Sequence, residues 1–499
     1  MTRPTAADII AFLSGPGLES LRRFVGGQRW FAGKARGVRT ISVEDWAALD
    51  AEGPVLLLLD VDGERYYVPV AIAQDAAPDP GEPVARLDGV RIVDAHADPR
   101  FGRELLRAIA AGRVLAGRSG RIVCRPAPPW VGPAAGELGS LPVRRLSGEQ
   151  SNTSIVFGHE LILKSLRRPE PGLNPDVEIT HFLASHTSFA HVPRLAGWIE
   201  YVDPSGATAV IGVLQSLVDK ATDGWRHTIA ALHALCESVQ QSARAPEDGA
   251  RQHAAALIDE ARELGRVTGG LHAALASDAS LPAFRPEPVT RDDVERWTAS
   301  IEHDFERLGE LAAAPAAGDA LRMILKDGRA RACRVAAQLA LLTERATHKI
   351  RCHGDYHLGQ VLKTADSFVV IDFEGEPARP LDERRAKHSG LRDAAGMLRS
   401  FNYAVHAVLR EREAAGDARA RVTLDGWERL ARDAFLDGYV AGVRPSPVRV
   451  VPPTRDELVQ VCSVFELEKA CYELRYELNH RPEWVALPLA GISKILDRA

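Results

Sequence analysis

The chain has 499 residues, of which 45% are hydrophobic and 26% are charged, a composition typical of a globular protein with a large buried core. At roughly 150 residues per domain this length allows about three compact units, and it excludes a short disulfide-stapled scaffold. Lys and Arg total 62 against 67 Asp and Glu, which gives a net charge of −5. Neither nucleic acid nor an anionic membrane is therefore an expected partner.

Cysteine usage and the apolar pattern indicate a cytoplasmic protein. The six cysteines are scattered without a CxxC pair, so neither a zinc ribbon nor a disulfide framework is expected. The first thirty residues lack the pattern of a secretory signal. The longest apolar run, Pro54 to Leu59, is far shorter than the ~20 residues that span a membrane.

The first part of the chain predicts a small α+β unit over residues 1–125. Short strand-like runs, such as Val55 to Asp60 and Tyr66 to Ala73, alternate there with turns of Gly, Pro and Asp. Residues 126–140 are rich in proline and glycine and show no helical or strand period. They are expected to be a linker.

The second part resembles a two-lobed kinase in layout. Residues 141–223 predict a mixed lobe that includes a hairpin of Ile155 to Phe157 and Leu161 to Ser165. Residues 224–499 predict a mostly helical lobe from apolar residues spaced by three, four and seven. One non-helical island, Lys349 to Asp372, interrupts these helices.

The island carries residues suited to phosphoryl transfer. It reads HGDYHLGQ at His353 to Gln360 and then IDFEGE at Ile371 to Glu376. Phosphoryl transfer needs a carboxylate that receives the proton of the acceptor hydroxyl, and oxygen ligands that hold Mg²⁺ against the nucleotide phosphates. Asp355 is the candidate for the first role, and Gln360 and Asp372 are candidates for the second. Their spacing resembles that of aminoglycoside-phosphotransferase-like kinases.

Two other interpretations of the island remain open. An isolated HGD is also common in ordinary loop turns, although here it occurs together with an apolar strand that ends in Asp372. His353 and His357 have the spacing of zinc ligands on a helix. Gly354 and Asp355 between them disfavour a helix, and no third ligand is evident.

A strand lysine and a helical glutamate complete the kinase pattern. Lys164 ends the strand LILK, and Glu178 follows fourteen residues later at a helix start. The turn Ser147 to Ser154 precedes this lysine and is the candidate phosphate-covering loop. It is not glycine-rich, so backbone amides and hydroxyls would contact phosphate, and an ordinary polar hairpin turn remains the alternative. The predicted nucleotide-binding residues are Gln150, Ser151, Asn152, Thr153, Lys164, Glu178 and, at the expected hinge beside the adenine, Gln215.

Long stretches of sequence resemble the actinobacterial maltokinases, including those fused to trehalose synthase. These stretches are QRWFAGK at Gln28 to Lys34, GEQSNTS at Gly148 to Ser154, LILKSLRRPEPGLNPDVE at Leu161 to Glu178, DGW at Asp223 to Trp225, HGDYHLGQVL at His353 to Leu362, IDFEGEPARPLDERRAKHSGLRDAAGMLRSFNYA at Ile371 to Ala404, and YELRYELNHRPEWVALPLAGI at Tyr472 to Ile492. The resemblance therefore covers nearly the whole chain.

The resemblance implies an α+β, two-lobed, protein-kinase-like fold with an N-terminal cap subdomain. It also implies ATP and Mg²⁺ as cofactors, phosphorylation of maltose at its anomeric hydroxyl to maltose 1-phosphate, and a place in glycogen or α-glucan biosynthesis. Related members act as glucosamine kinases, so glucosamine is the alternative acceptor. Association with a separate trehalose synthase is a further expectation.

The sugar site is expected near the C-terminus. Tyr472, Tyr476 and Asn479 share one face of a predicted helix, and aromatic faces stack on pyranose rings. The alternative is that these tyrosines pack in the core. The same ambiguity applies to Trp225, to Trp484, and to Arg399 with Asp393 on the helix that follows the metal strand. The candidate substrate-binding residues are His357, Glu374, Tyr472, Tyr476, Glu477 and Arg481.

Other activities are less well supported by the sequence. Antibiotic phosphotransferases usually lack a long N-terminal extension. A pseudokinase that acts only as a binding module would be expected to have lost part of the catalytic set, whereas this chain keeps all of Lys164, Glu178, Asp355, Gln360 and Asp372. The role of Gln28 to Lys34 stays open between packing and substrate contact.

Overall fold

The computed structural model describes residues 4–34, 36–50, 53–73, 82–146, 151–241, 254–312 and 319–497. Contacts divide the chain into two compact units. Unit 1 comprises Met1–Ala184 and Pro193–Asp219, and unit 2 comprises Ser185–Val192 and Lys220–Ala499. No helix in the described ranges combines the length and the apolar character needed to cross a membrane.

Unit 1 begins with two helices packed on an antiparallel sheet. Helix α1 starts with a capping box, in which Thr5 accepts from the backbone of Asp8 and the Asp8 carboxylate accepts from the backbone of Thr5. Apolar residues of both helices form one core with the first strands. The sheet has the order β1-β2-β4-β6-β5, with β3 paired to β2. The elements are α1 (Ala6–Leu13), α2 (Leu18–Gly27), β1 (Ile41–Ala48), β2 (Val55–Val61), β3 (Glu64–Tyr67), β4 (Val70–Ile72), β5 (Ala85–Leu87) and β6 (Val90–Asp94).

A second sheet of unit 1 has the order β7-β8-β12-β13-β11-β10-β9. Its core also contains apolar residues of β1, β2 and α3, so that the two sheets share one hydrophobic interior. The elements are α3 (Pro99–Ala110), β7 (Val114–Ala116), β8 (Arg121–Pro126), β9 (Val143–Arg145), β10 (Asn152–Phe157), β11 (Leu161–Leu166), α4 (Pro175–His186), β12 (Leu195–Val202) and β13 (Thr208–Ser216). Most of α4 belongs to unit 1, and its last residues belong to unit 2.

Unit 2 is mostly helical. Helices α6 (Ala255–Leu275) and α12 (Ala420–Val443) lie so close together that a Cβ on Gly265 would be 1.9 Å from the carbonyl oxygen of Phe435. The helices are α5 (Gly224–Gln240), α6 (Ala255–Leu275), α7 (Arg291–Ala312), α8 (Asp319–Ala336), α9 (Ala340–Glu344), α10 (Leu381–Arg385), α11 (Leu391–Ala414), α12 (Ala420–Val443), α13 (Arg455–His480) and α14 (Ala486–Leu496). The short strands are β14 (Thr222–Asp223), β15 (Glu287–Pro288), β16 (His348–Lys349), β17 (Val361–Lys363) and β18 (Phe368–Val370).

Most local predictions agree with these elements, with one correction. The hairpin of β10 and β11 is confirmed, with Ile155 paired to Leu163. The strand expected from Tyr66 to Ala73 is wrong as one element, because it is divided into β3 and β4 around Pro69. Proline has no backbone N–H to donate to a sheet ladder, so it interrupts the strand.

The segment expected to be a linker packs against the rest of unit 1. Residues 127–142 contain no described helix or strand, yet Ala127 and Leu138 are buried. Strand β8, which ends at Pro126, pairs with β7 and with β12 of the second sheet rather than with the first sheet. The polypeptide therefore passes from one sheet to the other at α3, upstream of the proline-rich segment.

A buried ionic cluster joins the two sheets of unit 1. The guanidinium of Arg167 has no exposed surface, and it pairs with Asp94 and donates to the hydroxyl of Thr153 at 2.9 Å. Its positive charge also lies 5.1 Å from the ring of Trp30. The Gln28–Lys34 motif thus contributes a packing surface inside unit 1. A buried guanidinium needs such partners because desolvation of an unpaired charge is costly.

His96 belongs to the same cluster and should make unfolding sensitive to acid. Its Nδ1 lies 2.7 Å from Asp94, its Nε2 lies 2.8 Å from the Ser165 hydroxyl, and burial together with the charge of Arg167 lowers the pKa of His96 to about 4. The unfolded chain, with a histidine pKa of roughly 6.5, takes up this proton first. Stability associated with neutral His96 is therefore present above about pH 6.5 and is lost as the pH falls towards 4.

Denaturant unfolding at several pH values tests this expectation. His96→Gln should show a smaller loss of unfolding free energy between pH 6.5 and 4 than the unchanged protein. His159→Gln, at a side chain that is 86% exposed, is the matched control and should keep the original pH dependence. Parallel curves for His96→Gln and the unchanged protein would contradict the prediction.

Candidate active site

The loop that carries Asp355 is held by one buried carboxylate. Asp393, in α11, accepts from the backbone N–H of His353 at 2.7 Å and from that of Gly354 at 3.0 Å. It also accepts from His272 Nε2 at 3.1 Å, and Tyr439 donates to the other ring nitrogen at 2.8 Å. Gly354 has φ +87°, a conformation that favours glycine. The loop backbone is therefore fixed before any ligand binds.

The two histidines of the motif have three of their four ring nitrogens in hydrogen bonds with the protein. His353 Nε2 donates to the carbonyl of Ile371 at 2.9 Å, and its Nδ1 accepts from the backbone of Asp355 at 3.4 Å. His357 Nδ1 accepts from the backbone of Gly359 at 3.0 Å. Burial lowers the pKa of His357 below its ordinary value. These bonds favour a structural role over the zinc alternative.

Asp355 lies beside a lysine that the sequence did not single out. Lys469 Nζ is 3.1 Å from Asp355 Oδ1 and 2.9 Å from Glu376 Oε1. The other carboxylate oxygen of Asp355 is 3.9 Å from His357 Nε2. Burial opposes the ammonium charge, but the two carboxylates raise the pKa of Lys469 above its ordinary range. Burial also opposes ionisation of Glu376, yet Lys469 and Arg379 lower the pKa of Glu376 to about 2.

The candidate metal ligands meet at the hairpin of β17 and β18. The backbone N–H of Ile371 donates to the carbonyl of Gln360 at 3.0 Å, which brings Gln360 next to Asp372. Asp372 has φ +67°, an uncommon conformation for a residue other than glycine. Carboxylate oxygens of Asp372 and Glu374 lie within 4.8 Å of one another. The two carboxylates and the amide oxygen of Gln360 are donors of the kind that Mg²⁺ prefers.

A cleft of about 450 Å³ opens in unit 2 next to Asp355. Helix α13 forms much of its wall, and the loop of Asp355, helix α5 and helix α11 form the rest. Five of the six predicted substrate-binding residues line it, whereas Glu374 does not and lies near Asp372 instead. The lining residues are Lys469, Tyr472, Glu473, Tyr476, Glu477 and Arg481 of α13 and its end, together with Asp355, His357, Gly359, Trp225, Gly396, Ser400 and Tyr403.

The predicted aromatic residues of this region differ in their surroundings. Tyr476 is 42% exposed and stacks on His480 with ring centroids 4.4 Å apart, so it is not a core residue. Tyr472 is half-buried, with Lys469 Nζ 4.7 Å from its ring. Trp225 lines the cleft. Trp484 instead stacks parallel to Tyr403 at 6.2 Å.

Two glutamates of the cleft are paired with arginines. Glu477 is 1% exposed, and Arg481 donates to both of its oxygens at 2.7 and 2.9 Å. Arg399 donates to Glu473 at 2.6 Å, while burial raises the pKa of Glu473 despite that charge. Glu477 thus orients Arg481, which is the more exposed member of the pair.

Unit 1 contains the predicted nucleotide-binding residues that the structure describes. Lys164 is a half-buried residue of β11, paired in register with Ser154 and Val213 of the neighbouring strands. Glu178 lies in the first turn of α4 and is half-buried. Gln215 in β13 directs its amide towards Asp176 at 3.5 Å.

The phosphate-covering turn is described only in part. Residues 147–150, including Gln150, lie outside the described residues. Ser151 is exposed, and Asn152 begins β10. The Thr153 hydroxyl is buried and accepts from Arg167. At the expected hinge, the N–H groups of Ser216 and Leu217 already donate to the carbonyls of Arg194 and Glu160 at 2.8 and 2.7 Å, so in this conformation neither is available to an adenine.

Two family models match the chain. Residues 142–375 match the phosphotransferase enzyme family, and residues 24–98 match the maltokinase N-terminal cap domain. A phosphotransferase-family region that follows a maltokinase-type cap is the combination expected from the resemblance to maltokinases. The expected α+β, kinase-like fold with an N-terminal cap is confirmed. The protein is an ATP-dependent phosphotransferase with an alcohol group as acceptor, a sugar kinase in the broad sense.

Relatives of known activity cover most of this kinase. A glucosamine kinase of Mycolicibacterium smegmatis is 25% identical over 364 residues, which are 71% of this chain and 79% of the relative. A glucosamine kinase of Streptacidiphilus jiangxiensis is 28% identical over 367 residues, which are 72% of this chain and 75% of the relative. Among solved structures, a glucosamine kinase in complex with glucosamine, ADP and inorganic phosphate has a TM-score of 0.62 at 21% identity, covering 95% of this chain and 99% of the other. This likeness shows the shared fold.

We predict that Tyr476→Ala weakens binding of the acceptor without weakening the fold. Because Tyr476 is exposed beside the cleft, its removal should raise the KM for the sugar about threefold to tenfold, the value of one lost aromatic contact. The KM for ATP and the melting temperature should stay close to those of the unchanged enzyme. Val459→Ala, at an exposed residue on the same helix, is the matched control. An unchanged sugar KM in a stable Tyr476→Ala variant would remove this residue from the acceptor site.

Proposed function

We propose that this kinase is a maltokinase, which transfers the γ-phosphoryl group of ATP to the anomeric hydroxyl of maltose and forms maltose 1-phosphate and ADP. Asp355 receives the proton of the acceptor hydroxyl while the hydroxyl oxygen bonds to the γ-phosphorus. The bond between that phosphorus and the β,γ-bridging oxygen breaks, and ADP departs with the bond's electrons. The position of Asp355 at the wall of the cleft supports this role.

The charged residues of the cleft favour a neutral sugar over an amino sugar as the acceptor. Each carboxylate among the described lining residues already has a basic partner within 3.1 Å: Asp355 has Lys469, Glu473 has Arg399, and Glu477 has Arg481. The ammonium of an amino sugar would need a carboxylate partner of its own on leaving water. It would also enter a cleft that contains the cations of Lys469 and Arg481. Hydroxyl groups, in contrast, can donate to these carboxylates and accept from the cation of Arg481.

The length of the cleft supports an acceptor with more than one ring. Its wall extends along α13 from Lys469, next to Asp355, to Arg481. At about 1.5 Å per helical residue, this is roughly 18 Å. Tyr472 and Tyr476 occupy the middle of this wall, where their rings can contact a second pyranose. A disaccharide whose reducing end lies at Asp355 would use the whole wall, whereas a monosaccharide would leave the aromatic part empty.

Unit 1 supplies candidate groups for the nucleotide. Lys164 and Glu178 have the strand and helix positions that the resemblance implies for phosphate binding. The oxygen donors of Gln360 and Asp372, with Glu374 close by, fit Mg²⁺. They would hold the ion, which when bound neutralises charge on the transferred phosphoryl group. We assign Glu374 to the surroundings of this ion rather than to the sugar.

Glucosamine is the second candidate acceptor, and glucosamine 6-phosphate would then be the product. It is favoured by the two curated relatives, which are both glucosamine kinases at 25% and 28% identity.

We also propose a role in α-glucan synthesis, with a separate trehalose synthase as a partner chain. The six free thiols support a reducing, cytoplasmic setting.

The acceptor preference is tested by ATP consumption with purified enzyme. The panel consists of maltose, glucosamine, glucose, trehalose and kanamycin, with product identified by mass spectrometry. We expect the highest kcat/KM for maltose and a product phosphorylated at the anomeric position. Preferential phosphorylation of glucosamine at its 6-hydroxyl would overturn the acceptor assignment and leave the kinase assignment in place.

We predict that Asp372→Ala abolishes turnover at saturating Mg²⁺, because the metal site loses one of its oxygen ligands. Asp366→Ala provides the control, since Asp366 lies exposed at the opposite end of the same hairpin and should tolerate the same change. Asp366→Ala should retain the melting temperature of the unchanged enzyme, and Asp372→Ala should lower it only slightly, because the positive φ of this position disfavours alanine. Activity of Asp372→Ala like that of the unchanged enzyme would exclude Asp372 from the metal site.

A further inference from the structure

Lys469 connects three parts of unit 2, namely helix α13, the catalytic loop and the loop after β18. It extends from α13 and bonds to Asp355 in the catalytic loop and to Glu376 in the loop after β18. On its own helix, the ring of Tyr472 lies 4.7 Å from Nζ. Its side chain is 22% exposed, and it lines both the acceptor cleft and a smaller cavity of about 70 Å³ on the other side of Asp355. No other basic side chain lines both of these described cavities.

The contacts of Lys469 constrain the orientation of Asp355. One carboxylate oxygen of Asp355 is bonded to Nζ at 3.1 Å, and the other lies on the side of His357, at 3.9 Å. The backbone of this residue is already held through Asp393, which bonds the two preceding N–H groups. The remaining freedom of Asp355 is rotation of its side chain. Lys469 removes that freedom and leaves one oxygen directed at the cleft.

Glu376 keeps the lysine in place throughout the reaction. It is bonded to Lys469 at 2.9 Å and to Arg379 at 2.6 Å. When Asp355 takes a proton from the acceptor, it loses its negative charge, and a lysine paired with Asp355 alone would be left as a buried unpaired cation. Because Glu376 remains ionised, Lys469 keeps a partner on both sides of the chemical step.

We propose that Lys469 is a positioning residue, which fixes the carboxylate of Asp355 towards the acceptor hydroxyl and links that carboxylate to the helix that binds the sugar. This inference rests on the proposed role of Asp355 as the proton acceptor. The residue acts through Asp355, so its loss should lower kcat with little effect on the KM of either substrate. Misplacement of a reacting group by about 1 Å typically costs about 100-fold in rate.

The first test is Lys469→Met, which keeps most of the side-chain volume beside Tyr472 and removes the charge. We expect kcat to fall about 100-fold, the KM values for maltose and ATP to change less than about threefold, and Lys469→Arg to restore part of the rate. Lys349→Met is the matched control, because Lys349 is also a half-buried lysine between two carboxylates, Asp293 and Glu287, but does not line the cleft. It should lose stability and keep its kcat.

A double variant separates positioning from folding. Removal of Lys469 alone leaves Asp355 without its buried cation and Glu376 with Arg379 as its remaining partner, which can destabilise the protein by itself. Lys469→Met combined with Glu376→Gln removes one charge of each sign. We expect this variant to regain thermal stability and to keep the low kcat. Recovery of kcat together with stability would overturn the proposal, as would a stable Lys469→Met variant with unchanged kcat.

A double-mutant cycle with Asp355→Asn tests the positioning role of Lys469 separately from the role of Asp355 as the proton acceptor. If Lys469 acts through Asp355, adding Lys469→Met to Asp355→Asn should cause no further loss of kcat. Multiplicative losses would overturn the positioning role and leave the base assignment intact. A loss below about tenfold in Asp355→Asn alone, where a general base contributes at least about 100-fold, would instead reject Asp355 as the base.

Discussion

The geometry of the acceptor site depends on the buried carboxylate of Asp393. It accepts two backbone N–H groups of the catalytic loop and the ring N–H of His272. Burial opposes the charge of Asp393, but these hydrogen bonds lower the pKa of Asp393 below its ordinary value. Close contact adds to this restraint, because a Cβ on Gly396 would lie 2.6 Å from the carbonyl oxygen of Tyr356. The backbone path of the loop therefore depends on this one acid.

The sequence predicted those parts of the site that depend on local chain geometry. The hairpin that carries Lys164 and the strand before Asp372 both follow from apolar residues bounded by turn residues, and both are present. Family resemblance and fold class were likewise predictable, because long motifs cover most of the chain. The division of Tyr66 to Ala73 was also foreseeable from the sequence, since Pro69 cannot donate to a ladder.

The charge partners of the site could not be predicted in this way. Lys469 lies 114 residues after Asp355, and no local pattern links a lysine in the middle of a helix to a particular loop. The same holds for Asp393, which is 40 residues from the N–H of His353 that it accepts. What marks both residues is a charged side chain at a helix position that is half-buried, for Lys469, or buried, for Asp393. That signal becomes visible only when the tertiary structure shows which positions are buried.

Helix α13 shows why such charges are retained. A helix packed on a hydrophobic core usually presents an apolar stripe, yet α13 directs charged residues along its length to partners on several elements. Buried ion pairs contribute little net stability compared with apolar packing. Their directional bonds, however, fix the rotation and register of the helix, and the rings of Tyr472 and Tyr476 are thereby held at a set distance from Asp355. The pairs with other elements are Glu466–Arg432, Glu468–Arg392, Lys469–Asp355, Glu473–Arg399 and Arg475–Asp304.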